Sequence, residues 1–167
     1  MSLLRNAVVS SLPAERHRVR LLVDEAGGAV IEAYPLARSF PRKPWKVALA
    51  SSPVDSRDRF LYHKTTHRAV YDTARAGHPD CDDVLLYNER GQVTESALAN
   101  LVARFGRDLV TPPVDCGLLA GTYRAHLLDR GCLREGIITL DDVKRADAVY
   151  LINSVRGWIP VNLECGG

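Results

Sequence analysis

The chain has 167 residues, of which 46% are hydrophobic and 25% charged, a length and balance typical of one globular domain. Its 22 basic and 20 acidic side chains leave a net charge of +2, too small to indicate nucleic acid or a membrane surface as the partner. No run approaches the about 18 apolar residues that a membrane helix needs, and the N-terminus lacks the apolar core of a signal peptide. We therefore predict a cytoplasmic protein.

The cysteines and lysines are few. Cysteines at 81, 116, 132 and 165 form no C-x-x-C pair and no regular spacing, which favours reduced thiols in a cytosolic protein over a zinc ribbon or a disulfide framework. Arginine outnumbers lysine by 18 to 4, so a lysine in an unusual setting is informative.

The first quarter of the chain predicts a hairpin and a strand. Residues 16–24 alternate basic and apolar side chains, residues 25–28 contain two glycines, and residues 29–33 are apolar again, which is typical of a β-hairpin. Residues 45–50 predict a strand. The segment 34–44 between them contains three prolines and predicts a long surface loop, with a linker that joins two subdomains as the alternative.

The middle of the chain predicts one helix followed by two hairpins. Residues 66–76 place apolar side chains at helical spacing, and Gly77 follows as a helix end. Alternating strand and turn signals then cover residues 82–111. The predicted strands are 84–87, 92–94, 98–105 and 109–111.

The last third predicts two helices and three strands. A helical pattern follows residues 116–124 and ends near Gly131, and Asp141 is predicted to cap a short helix that runs to Arg145. The predicted strands are 137–140, 148–152 and 158–161. Because hairpins predominate and helices are interspersed, we predict an α+β fold rather than a doubly wound parallel sheet.

Several familiar sites are missing from the sequence. It has no dinucleotide-binding, P-loop, serine-hydrolase or zincin motif. His63 and His67 are four residues apart, but no third ligand lies at a supporting spacing, so we predict no metal site. The acidic pairs at 82–83 and 141–142 are typical of strand flanks and helix caps, and a hydrolytic site with two carboxylates is an unsupported alternative.

Three separate segments supply the groups that pyridoxal phosphate chemistry requires. This chemistry needs a lysine amine, a carboxylate that keeps the pyridine nitrogen protonated, and backbone N–H groups at a helix start that bind phosphate. Lys64, Glu95 and the turn 121–123 are the candidates. Each also has an ordinary alternative, since such a lysine is usually solvated, such a glutamate usually lies in an exposed turn, and glycine often precedes a helix. Spacing alone leads no further than an α+β domain.

Four segments, in order, resemble the class IV fold-type of pyridoxal phosphate enzymes, which includes branched-chain aminotransferases, D-amino acid aminotransferases and aminodeoxychorismate lyase. They are LYHKTTHRAVYD at 61–72, DDVLLYNERGQVTESALANLV at 82–102, TPPVDCGLLAGTYRAHLL at 111–128 and ADAVYLINSVRGWIPV at 146–161. The forms HKTTHR and LINSVRGWIPV look most like the aminodeoxychorismate lyase branch, especially lyase-like domains fused behind the chorismate-aminating synthase subunit.

The resemblance implies a role for each matching residue. It makes Lys64 the Schiff-base lysine and proton shuttle, and Glu95 the partner of the pyridinium nitrogen. A further set of contacts that the resemblance implies is with the phosphate group of the cofactor. They come from Gly121, from the backbone N–H groups of Thr122 and Tyr123, from the Ser154 hydroxyl and from the Val155 amide.

Two arginines within these segments each have an alternative environment. Arg68 lies four residues beyond Lys64 and is expected near the phenolic oxygen of the cofactor, with a surface pairing to Asp72 as the alternative. Arg156 is expected to meet a substrate carboxylate, with a solvent-exposed position as the alternative.

The resemblance also implies a fold and a domain organisation. Residues 15–163 are expected to form the C-terminal, cofactor-bearing domain of the family, a mixed sheet closed into a pseudo-barrel. Residues 1–14 are expected to be a remnant or linker of a smaller N-terminal domain that the chain lacks. That domain carries a phosphate-binding arginine in an H-x-x-R-L-type motif, and none of the arginines at 5, 16, 18 and 20 lies in such a motif.

The activity that the resemblance implies is release of pyruvate from 4-amino-4-deoxychorismate to give 4-aminobenzoate, a folate precursor, with pyridoxal 5'-phosphate as cofactor. A branched-chain or D-amino acid transaminase is the first alternative. A domain without catalysis that serves in dimer formation or partner contact is the second. The implied partners are a small-molecule amine substrate, a second copy in a homodimer, and an aminodeoxychorismate synthase.

Overall fold

The computed structural model describes residues 16–36 and 43–164 and divides the chain into two units. The units are Met1–Phe40 and Pro41–Gly167. The predicted domain boundary between residues 14 and 15 lies outside the described residues and stays a prediction. Within the described ranges, no helix is long and apolar enough to cross a membrane.

The described part of the first unit is the predicted antiparallel hairpin of β1 (His17–Val23) and β2 (Ala29–Pro35). Alternation along the strands places apolar cross-strand partners on one face and mainly polar partners on the other. The apolar face pairs Val19 with Ala33, Leu21 with Ile31 and Val23 with Ala29, and the other face pairs Arg18 with Tyr34, Arg20 with Glu32 and Leu22 with Val30. Gly27 turns the chain at a φ of 85°, a conformation that glycine adopts without strain.

The second unit is built on eight strands, six of which close into a ring. The strands are β3 (Trp45–Leu49), β4 (Asp83–Tyr87), β5 (Val93–Ser96), β6 (Asn100–Phe105), β7 (Asp108–Thr111), β8 (Arg134–Glu135), β9 (Ala148–Asn153) and β10 (Gly157–Glu164). The sheet order is β5-β4-β3-β10-β9-β6, and the pairing of Glu95 with Asn100 joins β6 back to β5. Parallel and antiparallel pairs both occur, so the predicted α+β fold with a mixed pseudo-barrel is confirmed.

In the neighbouring strands β6 and β9, successive apolar side chains face two different cores. Leu101 and Leu151, on β6 and β9, lie in the main core and are fully buried. Their neighbours Val102 and Ile152 pack with Leu127 in a second core. Full burial of such a side chain contributes about 1.5–3 kcal/mol, so this layering supplies much of the rigidity on which a site can be built. The main core consists of Val47, Leu85, Val93, Ala99, Leu101, Ala103, Val110, Ile138, Val143, Val149, Leu151 and Ile159.

Three short helices accompany the barrel: α1 (Ala69–Ala76), α2 (Thr122–Asp129) and α3 (Leu140–Arg145). Single 3-10 turns occur at Arg59–Tyr62 and Val114–Cys116. Helix α1 ends before Gly77, as predicted, but it begins three residues later than position 66 because residues 66–68 belong to the loop that carries Lys64.

The prediction for residues 137–141 is wrong in two respects. The segment 137–140 is not a strand; Ile138 is fully buried and its carbonyl accepts from the Val93 N–H, but Leu140 already begins α3. The N-cap is Thr139 rather than Asp141, because Thr139 and Asp142 form a reciprocal capping box. The Thr139 hydroxyl accepts from the Asp142 N–H at 3.1 Å, and the Asp142 carboxylate accepts from the Thr139 N–H at 3.0 Å.

Candidate active site

The predicted site residues lie on four segments of the second unit. Lys64 is in the loop before α1, Glu95 is in β5, Gly121 precedes α2, and Ser154 is in the turn between β9 and β10. Because β5, β6 and β9 are neighbours around the ring, their ends bring three of these segments together.

Glu95 is a buried carboxylate held by three donors. It is 5% exposed. Its Oε1 accepts from the Tyr71 hydroxyl at 2.8 Å and from the Leu119 N–H at 3.1 Å, and its Oε2 accepts from Asn100 Nδ2 at 3.2 Å. A charge-bearing group removed from water requires such donors, so these contacts fix both the position and the orientation of the carboxylate.

Burial raises the pKa of Glu95 from 4.5 to about 7. The hydrogen bonds from Tyr71 and from the Leu119 amide oppose this rise in pKa, as do the positive charges of Lys64 and Arg68. A nearby cation favours the ionised form of a carboxyl whose pKa is near neutrality. A protonated ring nitrogen bound at Glu95 would therefore keep this carboxyl ionised.

Asn100 links Glu95 to the turn that precedes α2. Its Nδ2 donates to the Leu119 carbonyl at 2.8 Å as well as to Glu95. A Cβ added at Gly121 would clash with Asn100 Oδ1, so the buried Asn100 side chain would have to move. Gly121 is therefore required for close packing, because its φ of −65° is open to any residue.

The start of α2 and the β9–β10 turn form a polar, accessible patch. The N–H groups in the first turn of an α-helix have no partner within the helix, and Gly121 provides no side-chain cap. The hydroxyls of Thr122 and Ser154, both on exposed residues, lie 2.8 Å apart. Free helix N–H groups beside two hydroxyls are suited to an anion such as phosphate.

Val155 and Arg156, the other predicted site residues of the β9–β10 turn, have partners within the protein. The N–H groups of Val155 and Arg156 both donate to Asn153 Oδ1, at 3.1 and 2.8 Å. The Arg156 guanidinium lies over the Trp45 ring, 5.4 Å from its centroid. The predicted roles of Val155 and Arg156 toward phosphate and substrate stay predictions.

Lys64 and Arg68 differ in how they are held. Lys64 is exposed and makes no hydrogen bond or ion pair with the described residues. Arg68 Nη2 donates to the Ala97 carbonyl at 2.6 Å, and its guanidinium lies 4.7 Å from the centroid of the Tyr71 ring. Its side chain thus turns toward the site rather than toward Asp72.

The two histidines that flank Lys64 do not form a metal site with their neighbours. The His67 ring packs on Phe60, with centroids 4.1 Å apart. In the part of the chain that the structure describes, no group of three or more His, Cys, Asp or Glu side chains is placed to hold a metal ion.

Three groups at the site were not predicted from the sequence: Tyr71, Asn100 and the Leu119 amide. A polar residue opening the apolar strand NLVARF was a signal for Asn100. Tyr71 lies three residues after Arg68, on the same side of a helix, which was a signal for their contact. The Leu119 amide had no signal, because a backbone donor is independent of residue type.

The donor set fits pyridoxal phosphate. A buried carboxylate with acceptor capacity left on one oxygen suits a protonated ring nitrogen. The free N–H groups at the α2 start, with the Thr122 and Ser154 hydroxyls, suit the phosphate. Lys64 supplies an unengaged amine.

Comparisons with known proteins agree with this geometry. A family model described as amino-transferase class IV matches residues 3–163. A Schizosaccharomyces pombe protein provisionally named aminodeoxychorismate lyase is 32% identical over 161 residues, which cover 92% of this chain and 68% of that protein. A Saccharomyces cerevisiae aminodeoxychorismate lyase is 28% identical over 135 residues, but this chain spans only 36% of its length.

Solved structures share the fold. A Mesorhizobium loti protein, described provisionally as an amino-acid aminotransferase, superposes with a TM-score of 0.88 at 38% identity. The match covers 98% of this chain and 79% of the Mesorhizobium loti chain. A Legionella pneumophila protein, described provisionally as a 4-amino-4-deoxychorismate lyase, gives a TM-score of 0.74 at 25% identity over 81% of this chain and 52% of its own. The chain therefore belongs to the class IV aminotransferase family.

Proposed function

We propose that this chain carries the cofactor site of a pyridoxal-phosphate-dependent 4-amino-4-deoxychorismate lyase, which releases pyruvate and forms 4-aminobenzoate for folate synthesis. The observation that carries the proposal is the buried Glu95 carboxylate, held by three donors and left with acceptor capacity on Oε2. The choice of a lyase is supported by the names of relatives from the two yeasts.

In this proposal Glu95, Lys64 and the start of α2 hold the cofactor. Glu95 would hold the ring nitrogen, Lys64 Nζ would attach to the aldehyde carbon, and the N–H groups of Thr122 and Tyr123 with the Ser154 hydroxyl would hold the phosphate. The cofactor, when bound, supplies an electron-withdrawing ring that stabilises negative charge on the carbon bearing the substrate amine. Arg68 is proposed near the phenolic oxygen.

Lys64 is the proposed base. After the amine of the substrate has taken its place on the cofactor, the freed Lys64 Nζ would remove the proton from the amine-bearing carbon of the substrate, and no hydrogen bond or ion pair with the described residues restrains it. Loss of this proton and departure of the enolpyruvyl group, which gains a proton and leaves as pyruvate, give the aromatic ring of 4-aminobenzoate. Glu95 meanwhile keeps the proton on the ring nitrogen through its negative charge.

The first experiment tests cofactor attachment. The chain is incubated with excess pyridoxal phosphate, reduced with borohydride and digested, and the peptide masses are measured. We expect a cofactor adduct on the peptide of Lys64 and none on the peptide of Lys144, a surface lysine paired with Asp141. Absence of an adduct at Lys64 would support a non-catalytic domain that serves in dimer formation or partner contact.

A second experiment separates the lyase from an amino acid transaminase, which the description of the Mesorhizobium loti structure favours. The loaded protein is given 4-amino-4-deoxychorismate, and 4-aminobenzoate and pyruvate are measured together. A panel of branched-chain and D-amino acids with 2-oxo acids is run in parallel. We expect equal amounts of 4-aminobenzoate and pyruvate from 4-amino-4-deoxychorismate. Turnover that depends on a 2-oxo acid and releases no pyruvate would contradict the lyase.

We also propose that residues 15–163 act as one cofactor-bearing domain that associates with a second copy. Members of the class IV family generally act as homodimers on small molecules, and an aminodeoxychorismate synthase is the further partner that the sequence resemblance implies. Sedimentation at increasing protein concentration is expected to reveal a dimer. A monomer over the whole concentration range would contradict self-association.

A further inference from the structure

Among the described residues, Tyr71 is the one member of a hydrophobic cluster whose side chain also forms a hydrogen bond with the Glu95 carboxylate. The tyrosine is 6% exposed, and its ring packs in the cluster of Val54, Leu61, Leu86 and Ala97. Its hydroxyl donates to Glu95 Oε1 at 2.8 Å. Because packing on all sides fixes the ring, the hydroxyl cannot turn to water, and the position of its proton follows from the fold.

The two oxygens of Glu95 are not equivalent. A carboxylate oxygen has two lone-pair directions. On Oε1 both are filled, by the Tyr71 hydroxyl and the Leu119 N–H, whereas Oε2 accepts one bond, the 3.2 Å contact from Asn100 Nδ2. The free acceptor direction is therefore on Oε2.

The surroundings of Glu95 and Tyr71 favour an ionised carboxylate beside a protonated phenol. Positive charges face Glu95 from Lys64 in the loop and from Arg68 at the start of α1. Burial and the negative charge of Glu95 raise the pKa of Tyr71, although the Arg68 guanidinium over its ring opposes that rise. The phenol thus stays a donor throughout the range in which Glu95 titrates.

We infer that Tyr71 is a positioning residue that keeps the Glu95 carboxylate ionised and turned so that Oε2 is the oxygen left for a cationic ring nitrogen. This inference rests on the proposed function for the identity of the ligand. The contacts that define the role belong to the protein alone, so it can be tested with and without cofactor.

The test compares Tyr71→Phe with Tyr62→Phe. Tyr62 packs against the same cluster, and its hydroxyl donates to the Ser56 carbonyl at 2.6 Å, so its variant loses a similar bond without touching Glu95. In the cofactor-free protein, the titration of Glu95 is followed by carboxyl carbon NMR and assigned with Glu95→Gln. We expect Tyr71→Phe to raise the pKa of Glu95 by about one unit, the effect of one hydrogen bond to a charged group, and Tyr62→Phe to leave it unchanged.

Cofactor binding gives a second readout. The dissociation constant of pyridoxal phosphate at pH 7 is expected to rise about fivefold in Tyr71→Phe, because a pKa one unit above about 7 lowers the ionised fraction of Glu95 from about one half to about one tenth, and to stay constant in Tyr62→Phe. An unchanged pKa of Glu95 in Tyr71→Phe, or equal shifts in the two variants, overturns the inference. If the unmodified chain binds no pyridoxal phosphate, the proposed function fails, and the cofactor-free titration still decides the role of Tyr71.

A third variant covers the case in which Tyr71→Phe does not fold. Tyr71→3-fluorotyrosine keeps the ring in its place and makes the hydroxyl a stronger donor. The pKa of Glu95 is then expected to fall rather than rise. A rise, or no change, contradicts a hydrogen bond from Tyr71 that stabilises the ionised carboxylate.

Discussion

The site joins two segments of opposite character, the strand that carries Glu95 and the loop that carries Lys64. Glu95 is buried, lies in the closed ring of strands and accepts three hydrogen bonds. Lys64 is exposed, lies between a 3-10 turn and α1, and makes no hydrogen bond or ion pair with the described residues. The carboxylate has one available position, whereas the lysine has many.

This difference matches two different tasks. A carboxylate that holds a ring nitrogen throughout a reaction acts best when it is fixed in advance, because no reorganisation is then needed. An amine that must first bind a cofactor and then move a proton needs freedom to change its position. A fixed Glu95 and an exposed Lys64 without a side-chain partner are thus what the proposed chemistry requires, and the following changes test each side.

The largest expected effect comes from Lys64→Ala. Turnover should fall by on the order of 10²–10⁴-fold, the usual contribution of a general acid–base group, and the borohydride-reducible adduct should disappear. Thermal stability should stay unchanged, because the side chain is exposed. Lys144→Ala serves as the control with normal activity. Activity retained in Lys64→Ala would remove the lysine from the mechanism.

Glu95→Gln tests the fixed side through the pH dependence of stability. The pKa of Glu95 rises from 4.5 to about 7 on folding, so between these values the folded protein binds more protons than the unfolded one. Stability must then fall as pH rises from about 4.5 to 7, by up to about 3 kcal/mol, and this loss should be absent in the Gln variant.

Urea unfolding of cofactor-free protein at pH 5 and pH 8 measures this difference. Glu25→Gln, in the exposed turn of the hairpin, is the control, and its free energy of unfolding should change between pH 5 and pH 8 as in the unmodified chain. A pH profile of Glu95→Gln that parallels that of the unmodified protein would show that Glu95 does not titrate as its burial implies.

Gly121→Ala should disturb the fixed side from the α2 end. The new Cβ would lie 2.1 Å from Asn100 Oδ1, so Asn100 must move and weaken its contacts with Glu95 and Leu119. Overpacking of this kind costs about 1–3 kcal/mol, measurable by urea unfolding, and cofactor affinity should fall with it. Gly77→Ala is the control, since a Cβ there meets ordinary contacts at 3.5 Å or more. Equal stability of the two variants would contradict the close packing.

Ser154→Ala should have the smallest effect. It removes one hydroxyl of the pair with Thr122 and leaves the N–H groups of α2 in place. The loss of one hydrogen bond, about 1 kcal/mol, should weaken the binding of pyridoxal phosphate about fivefold in a fluorescence titration. Ser51→Ala, whose hydroxyl contacts His78 on the exposed surface, should bind normally. Unaltered affinity in Ser154→Ala would remove this turn from the phosphate site.

Sequence patterns predicted most of the fold because local signals and the barrel agree. The hairpin of β1 and β2, the strands of the ring and the end of α1 at Gly77 all follow from alternation, helical spacing and turn residues. The failure at residues 137–140 has a local cause. A buried apolar Ile138 imitates a strand, while the reciprocal bonds of Thr139 and Asp142 start a helix.

The site was predictable in its charged residues and not in its supporting contacts. Family resemblance pointed to Lys64 and Glu95, and neither spacing nor composition did so alone. The hydroxyl of Tyr71 and the Leu119 amide act on Glu95 from 24 residues away in each direction along the chain, so only the closed fold brings them together. Such long-range donors leave no periodic trace in a sequence.

The pairing of Glu95 with Asn100 closes the ring of strands, and the same two residues form the centre of the site. Closure of the ring and assembly of the carboxylate site therefore depend on the same pairing. Any local opening between β5 and β6 would release the carboxylate to water before the rest of the core unfolded. A ligand held by Glu95 would oppose that opening, so cofactor binding should slow amide exchange at the seam of the barrel more than in its walls.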